Sequence, residues 1–411
     1  MDQLVGNAVV GQSGGPTAAI NATLAGVIRG VLENGKGTIG KLYGMRNGIE
    51  GLAAERLTDL DEIFADRTKL ELLEHTPAAA LGSCRKKLPA PGENDAVYEK
   101  ILAVFQKYNI RYFFYIGGND SMDTVAKLSV YTKAHGYDMR IVGVPKTIDN
   151  DLIITDHTPG FGSAAKYIAV TVQEILRDCA VYTVPAVTIV EIMGRDAGWL
   201  TAAAGVGRLL GLPTPDLIYL PERAFSETEF FEDVRAALKK HPDVVIAVSE
   251  GVRFADGTYV CEGFGVPSTD PFGHKQLSGT GRALEYAVKR EIGCKVRAVE
   301  LNISQRCGAH IASATDLSES VAIGAAAVRA ALEGTTGVMM TFVREQDKPY
   351  RMHISSSEVL GIANRTKRVP AEFITPRGNQ ITDACAEYIL PLMEGEATPA
   401  YRGGLPQFLV I

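Results

Sequence analysis

The chain lacks several features that would place it quickly. It has one tryptophan among 411 residues and 7% aromatics. Its six cysteines, Cys84, Cys179, Cys261, Cys294, Cys307 and Cys385, form no CxxC pair and no tight Cys/His cluster. A disulfide framework and a structural zinc site are therefore excluded as readings, and a reducing compartment fits. No apolar run approaches the ~20 residues of a membrane span. Met1-Asp2-Gln3 opens no basic, then apolar, leader, so a soluble cytoplasmic protein is expected. There is no excess of positive charge: 42 Lys and Arg against 48 Asp and Glu give a net charge of −6. A generic nucleic-acid coat is thereby disfavoured, and no nucleic-acid or membrane partner is expected.

The chain does have 46% hydrophobic residues, 22% charged residues and 42 glycines, the composition of a folded globular chain. At roughly 150 residues per domain, its length suggests two or three domains. Short apolar runs alternate with amphipathic ones. Strands are expected at Asn7–Val10, Tyr112–Ile116, Arg140–Val144, Ala186–Ile192 and Val244–Val248. Helices are expected at Ala18–Leu32 and from about Met122, where Met122, Val125 and Leu128 form one stripe. Near-continuous apolar strands belong in parallel sheets covered on both faces. The predicted class is α/β, with two doubly wound, Rossmann-like domains and the active site in the cleft between them. Segments 265–281 and 394–406 read as irregular.

Polar or glycine-rich strings follow each strand, where open parallel sheets bind ligands. Gly11-Gln12-Ser13-Gly14-Gly15 offers backbone N–H groups to an anion at a helix start. It matches neither GxxxxGK[ST] nor GxGxxG, which removes a Walker loop and a nicotinamide oxidoreductase from consideration. Gly117-Gly118-Asn119-Asp120-Ser121 combines close approach with oxygen ligands. Pro145 to Asp151 sets Lys146 and Thr147 beside Asp149 and Asp151. There one carboxylate can take a proton, the other can help hold Mg²⁺, and the lysine can neutralise phosphoryl oxygens. Met193-Gly194-Arg195 and Ser249-Glu250-Gly251 end two later strands. Gly82-Ser83-Cys84-Arg85-Lys86-Lys87 adds a basic run. No histidine motif accompanies Ser249, so a serine-hydrolase triad is unsupported.

In this order, together with Gln305-Arg306, the strings resemble the phosphofructokinase family over residues 10 to about 310. The resemblance implies Mg²⁺-dependent phosphorylation of the 1-hydroxyl of fructose 6-phosphate by a homodimer or homotetramer. It places a phosphoryl-donor domain at residues 1–159 plus about 305–365. A sugar-phosphate domain would take 160–304 plus about 366–411. ATP-using members carry glycine where this chain has Asp120 and Lys146, and pyrophosphate-using members carry Asp and Lys there. Asp120 puts bulk and negative charge where the nucleotide's α-phosphate would lie, so pyrophosphate is the expected donor.

The resemblance further implies roles for individual residues. Asp149 is the base, with Lys146, Arg195 and Asp120 beside the transferred group. Gly15, Arg85, Gly118, Asp120 and Ser121 hold the donor. Thr147, Ile148, Asp149, Met193, Gly194, Arg195, Glu250, Arg297, Ile303 and Arg306 hold the sugar phosphate. Asn119 and Asp151 would serve Mg²⁺. Three positions depart from the family pattern: Asn119 replaces the usual metal aspartate, Ala186 an arginine reaching across a subunit interface, and Ile303 a His or Tyr. The last two leave room for sedoheptulose 7-phosphate. The alternatives are an ATP-dependent 6-phosphofructokinase and a non-catalytic regulatory subunit; the latter is expected to have lost its base, whereas Asp149 is present.

Overall fold

The computed structural model describes residues 4–181, 183–264, 279–362 and 365–411. Two sheets organise the chain. The first has seven strands in the order β12-β11-β5-β4-β1-β2-β3. These are β1 (Gly6–Gln12), β2 (Ile39–Met45), β3 (Leu57–Asp59), β4 (Ile110–Gly117), β5 (Arg140–Pro145), β11 (Val338–Asp347) and β12 (Tyr350–Glu358). Pairing from β11 through β5, β4 and β1 to β2 is parallel. The two edge strands, β12 and β3, run antiparallel to their neighbours. The second sheet is fully parallel, in the order β7-β8-β6-β9. Its strands are β6 (Ala186–Ile192), β7 (Leu217–Tyr219), β8 (Asp243–Ser249) and β9 (Lys295–Glu300). Two small ribbons complete the set: β10 (Ala312–Ser313) with β13 (Glu396–Ala397), and β14 (Tyr401–Arg402) with β15 (Leu405–Pro406).

The apolar runs have a direct structural reason, because successive side chains on a strand enter opposite cores. Val10, Phe114 and Val144 pack with Leu24 and Ile28 on one face of the first sheet. Val9, Phe113 and Ile141 pack with Phe105, Met122 and Leu128 on the other. In the second sheet, Val190, Ile192 and Val245 meet Phe161, Ile168 and Leu200. Ile189, Val244 and Ile246 meet Phe230, Val234 and Leu284 on the opposite face. Covering both faces with helices leaves only the loops at the strand ends free to carry chemistry.

Two expectations about irregular segments are corrected. Residues 394–406 contain the three two-residue strands β13, β14 and β15. Residues 265–278 lie outside the described residues, but Thr280 and Gly281 are buried in the first turn of the helix Thr280–Glu291. Among the described residues, no helix is long and apolar enough to cross a membrane.

Candidate active site

The carboxyl ends of β1, β4 and β5 lie side by side, and their loops are knitted together. Ser13 N–H donates to Ile116 O at 2.9 Å, Gly14 N–H to Cys84 O at 3.0 Å, and Lys146 N–H to Gly117 O at 2.9 Å. The Ser13 and Ser121 hydroxyls bond at 2.7 Å, and Ser83 Oγ donates to Gly14 O at 2.6 Å. Gly14 has φ +78°, in the left-handed region that glycine enters without steric cost. The turn it makes brings Gly15 O within 2.7 Å of Lys146 Nζ. Thr17 Oγ1 then accepts from Ile20 N–H at 2.9 Å, just ahead of the helix Ile20–Asn34. Gly15, Arg85, Gly118, Ser121 and Lys146 are thus gathered on one side.

Asp120 stands at the opening of the helix Asn119–Ala134, with its carboxylate 3.0 Å from Lys87 Nζ. The basic run therefore supplies a partner for Asp120 through Lys87. Asn119 Oδ1 is buried and has no protein partner.

β5 runs into the acidic turn. Asp149 N–H donates to Thr147 Oγ1 at 3.1 Å. Burial pushes the Asp149 carboxyl above its ordinary value, and Lys146 and Arg195 pull it back in part. Asp151 is pushed up to about 7, by burial first and then by the Asp149 charge. Burial brings the Lys146 ammonium down to about 8, against the pull of Asp149 and Asp151. Ile148 follows a different course: its side chain is buried in the core with Phe161 and Val190, leaving its backbone to line the turn.

The second sheet contributes the facing wall. Met193 N–H donates to Gln305 Oε1 at 3.2 Å, and Gly194 N–H to Glu250 Oε1 at 3.3 Å. Ser249 Oγ donates to Gly194 O. A Cβ on Gly251 would sit 2.0 Å from Arg195 O, so only glycine lets this loop close on the Arg195 loop. Burial pushes Glu250 up to about 8, with the Asp149 charge adding to it. Arg306 approaches from the other direction: its Nη1 lies 3.5 Å from where a Gly15 Cβ would be, and it feels Arg85 and Asp149. One carboxylate, Asp149, is therefore within electrostatic reach of Lys146, Arg195, Glu250 and Arg306, drawn from both sheets.

Two residues grouped with the sugar pocket stand apart. Arg297 pairs in register with Thr188 on β6, five residues before Met193, or about 16 Å back along the strand. It lies beside Ala186 and 3.9 Å from Asp178, away from the cleft of its own chain. Ile303 precedes the short helix Ser304–Cys307 with 56% of its surface exposed.

The arrangement brings cations and N–H groups to one side of a half-buried carboxylate and a polar wall from the second sheet to the other. Such a site can move an anionic group onto a hydroxyl. A family model described as phosphofructokinase matches residues 7–331. The chain belongs to the phosphofructokinase family. It is 42% identical over 407 residues to a pyrophosphate–fructose 6-phosphate 1-phosphotransferase of Methylococcus capsulatus, covering 98% of this chain and 96% of the relative. A Xanthomonas campestris protein of the same name is 43% identical, with the same coverage. The crystal structure of a pyrophosphate-dependent phosphofructokinase from Nitrosospira multiformis superposes with a TM-score of 0.88 at 39% identity, covering 98% of this chain and 96% of that one. Of the phosphofructokinase strings, five follow β1, β4, β5, β6 and β8, whereas Gly82-Ser83-Cys84-Arg85 follows the helix Thr68–Glu74 and Gln305-Arg306 lies in the short helix after β9.

Sequence reasoning missed Lys367 and Tyr388, which buttress the acidic turn from the last fifty residues. Lys367 Nζ donates to Asn150 Oδ1 at 3.1 Å, and Asn150 Nδ2 to Tyr388 Oη at 2.9 Å. Neither residue sits in a motif, and no signal in a single sequence marks either one.

Proposed function

We propose that the protein transfers a phosphoryl group from pyrophosphate to the 1-hydroxyl of fructose 6-phosphate, in a Mg²⁺-dependent reaction giving fructose 1,6-bisphosphate and phosphate. The observation that carries the choice of donor is the pair Asp120 and Lys146. Lys146 Nζ lies against the Gly15 carbonyl, and Asp120 stands in the first turn of the helix that follows β4, the neighbouring strand. A nucleotide would bring its α-phosphate toward the carboxylate; pyrophosphate has no such group.

Asp149 takes the proton of the sugar hydroxyl, its raised affinity for protons suiting a base that works near neutrality. Lys146 and Arg195 balance charge on the group in flight, and Gly15, Gly118, Ser121 and Arg85 hold the donor. Thr147 and the Ile148 backbone flank the base. Met193, Gly194 and Glu250 orient the sugar. Arg306 reaches the border between donor and sugar. Positioning and electrostatics carry such a transfer, with little covalent work for the protein.

Magnesium fits this donor set. Among the described residues, no group of three or more His, Cys, Asp or Glu is arranged to hold a metal. The partnerless Asn119 Oδ1 and the Asp151 carboxylate are, however, hard oxygen donors. Mg²⁺ commonly takes one or two protein oxygens and completes its shell with water and substrate phosphates. Bound there, it would neutralise phosphoryl charge.

The donor-binding unit is read as residues 1–159 with about 305–365, and the sugar-binding unit as 160–304 with about 366–411. The seven-stranded sheet lies wholly within the first and the four-stranded sheet within the second. A homodimer or homotetramer in the cytoplasm completes the reading. The position of Arg297 beside Ala186, far from its own cleft, supports an oligomer in which that arginine would serve a neighbouring subunit.

The test compares donors. Purified protein with fructose 6-phosphate and Mg²⁺ should form fructose 1,6-bisphosphate with pyrophosphate and not with ATP. Turnover with ATP alone would overturn the donor assignment.

A further inference from the structure

Asn150, between the two aspartates, is fully buried and has φ +52°. A residue with a side chain resists that left-handed conformation, and asparagine tolerates it best. The turn must be held there, because the sign of φ at Asn150 sets the directions in which Asp149 and Asp151 leave the chain.

The holding contacts converge on Lys367. Its ammonium donates to Asn150 Oδ1 at 3.1 Å, to Thr155 O at 3.3 Å and to Asp156 O. Its own N–H donates to Asp151 O at 2.8 Å. Tyr388 closes the other end of the Asn150 amide at 2.9 Å and donates to the same Asp156 O. The segment also grips the opposite wall. Trp199 Nε1 donates to Lys367 O at 3.0 Å, and the ammonium lies 5.3 Å from the Trp199 ring centroid. Two residues on, Val369 N–H shares Glu222 Oε1 with Gly198 N–H, each at 2.9 Å. Gly198 and Trp199 begin the helix that follows Arg195.

Lys367 is partly buried, its hydrogen-bond acceptors are uncharged oxygens of the turn, and the charges of Asp156 and Asp151 offset its desolvation, so its ammonium is bound to the turn by both geometry and charge. We propose that Lys367 is a positioning residue for the acidic turn. It locks Asn150 left-handed so that Asp149 and Asp151 face the cleft, and through Trp199 it keeps that turn in register with the Arg195 loop. The assignment rests on the reading of Asp149 as the base of a pyrophosphate-dependent transfer.

The test is a double-mutant cycle of Lys367→Met and Asn150→Gly, with initial rates against pyrophosphate and against fructose 6-phosphate, and Tm for each protein. A displacement of about 1 Å at a reacting group can cost roughly 10²-fold. Lys367→Met should accordingly lose kcat by roughly 10²-fold, with both KM values within about threefold of wild type. The double variant should be no slower than the slower single, because both changes release the same turn. Tyr388→Phe, which removes one hydroxyl, gives a milder arm that serves if Lys367→Met does not fold; it should lower kcat by roughly threefold to tenfold at unchanged KM. Wild-type kcat in folded Lys367→Met or Tyr388→Phe, a rise confined to KM, or losses that multiply in the double variant would each overturn the assignment. Wild-type protein inert with pyrophosphate would instead overturn the functional reading beneath it.

Discussion

Asp149→Asn tests the chemistry at its centre. The amide keeps the side-chain shape and the backbone bond from residue 149 to Thr147 Oγ1, so the turn should hold. It cannot take a proton. Removal of a general base costs 10²–10⁴-fold in kcat, about 3–5 kcal/mol at the transition state. The structure adds two further effects. Asp149 is the largest influence raising the Lys146 ammonium, which burial already holds near 8. Without that carboxylate, Lys146 moves further down and loses its charge within the assay range. The KM for pyrophosphate in the variant should therefore climb as pH rises from 6 to 8.

The other effect is on stability. The folded-state pKa of Asp149 is raised, so its contribution is fully present below the unfolded value of about 3.9. That contribution is lost as pH rises through the folded value. At pH 8 wild type therefore carries an ill-solvated charge that the variant lacks, and Asp149→Asn should melt no lower than wild type there. The assay is fructose 1,6-bisphosphate formation across pH 5.5–9, with thermal melts alongside. A kcat within tenfold of wild type would refute the assignment of Asp149 as base.

Two other perturbations address separate parts of the site. Asp120→Gly removes the carboxylate proposed to face a nucleotide's α-phosphate; the Lys87 ion pair already offsets part of that charge. ATP should thus bind roughly fivefold to tenfold more tightly, measured as inhibition against pyrophosphate, and no gain would remove the argument from charge and bulk. Glu250, held near 8 by burial, loses its stabilising protonated form as pH rises from about 4.5 through 8. Glu250→Gln should therefore melt above wild type at pH 8.5 and match it at pH 5; parallel melting curves would show that Glu250 does not titrate in that window.

The strands that were legible are those buried on both faces. Ala186–Ile192 matches residue for residue, and Asn7–Val10, Tyr112–Ile116, Arg140–Val144 and Val244–Val248 fall one or two residues short at one or both ends. Strands at the margins were not legible. Lys295–Glu300 and Tyr350–Glu358 are edge strands with many exposed residues, and exposure removes the apolar run that identifies a strand. The helix after β4 begins at Asn119 rather than near Met122, because Gly118 precedes it and Asn119 and Asp120 lie within its first turn. Motif strings gathered the donor loop, the acidic turn and the Arg195 loop, since each is contiguous in sequence. Lys367 and Tyr388 act across 217 and 238 residues from Asn150, a separation that no local pattern encodes. Arg297 was assigned from the family resemblance, which does not say that it sits well back along its strand, in register with Thr188.

The order of strands also bears on how the chain is made. β5 is complete at residue 145, yet its outer neighbour β11 begins only at Val338, which pairs with Val142. All four strands of the second sheet lie between them. At 5–20 residues per second, a ribosome takes roughly 10–40 s to cross that interval. During that time the β5 edge, with Ile141, Val142 and Val144 beside it, has no strand to cap it. An uncapped apolar edge is a template for pairing with another chain. Nascent chains of this protein are therefore expected to expose a pairing edge while the second sheet is being synthesised, until β11 closes it.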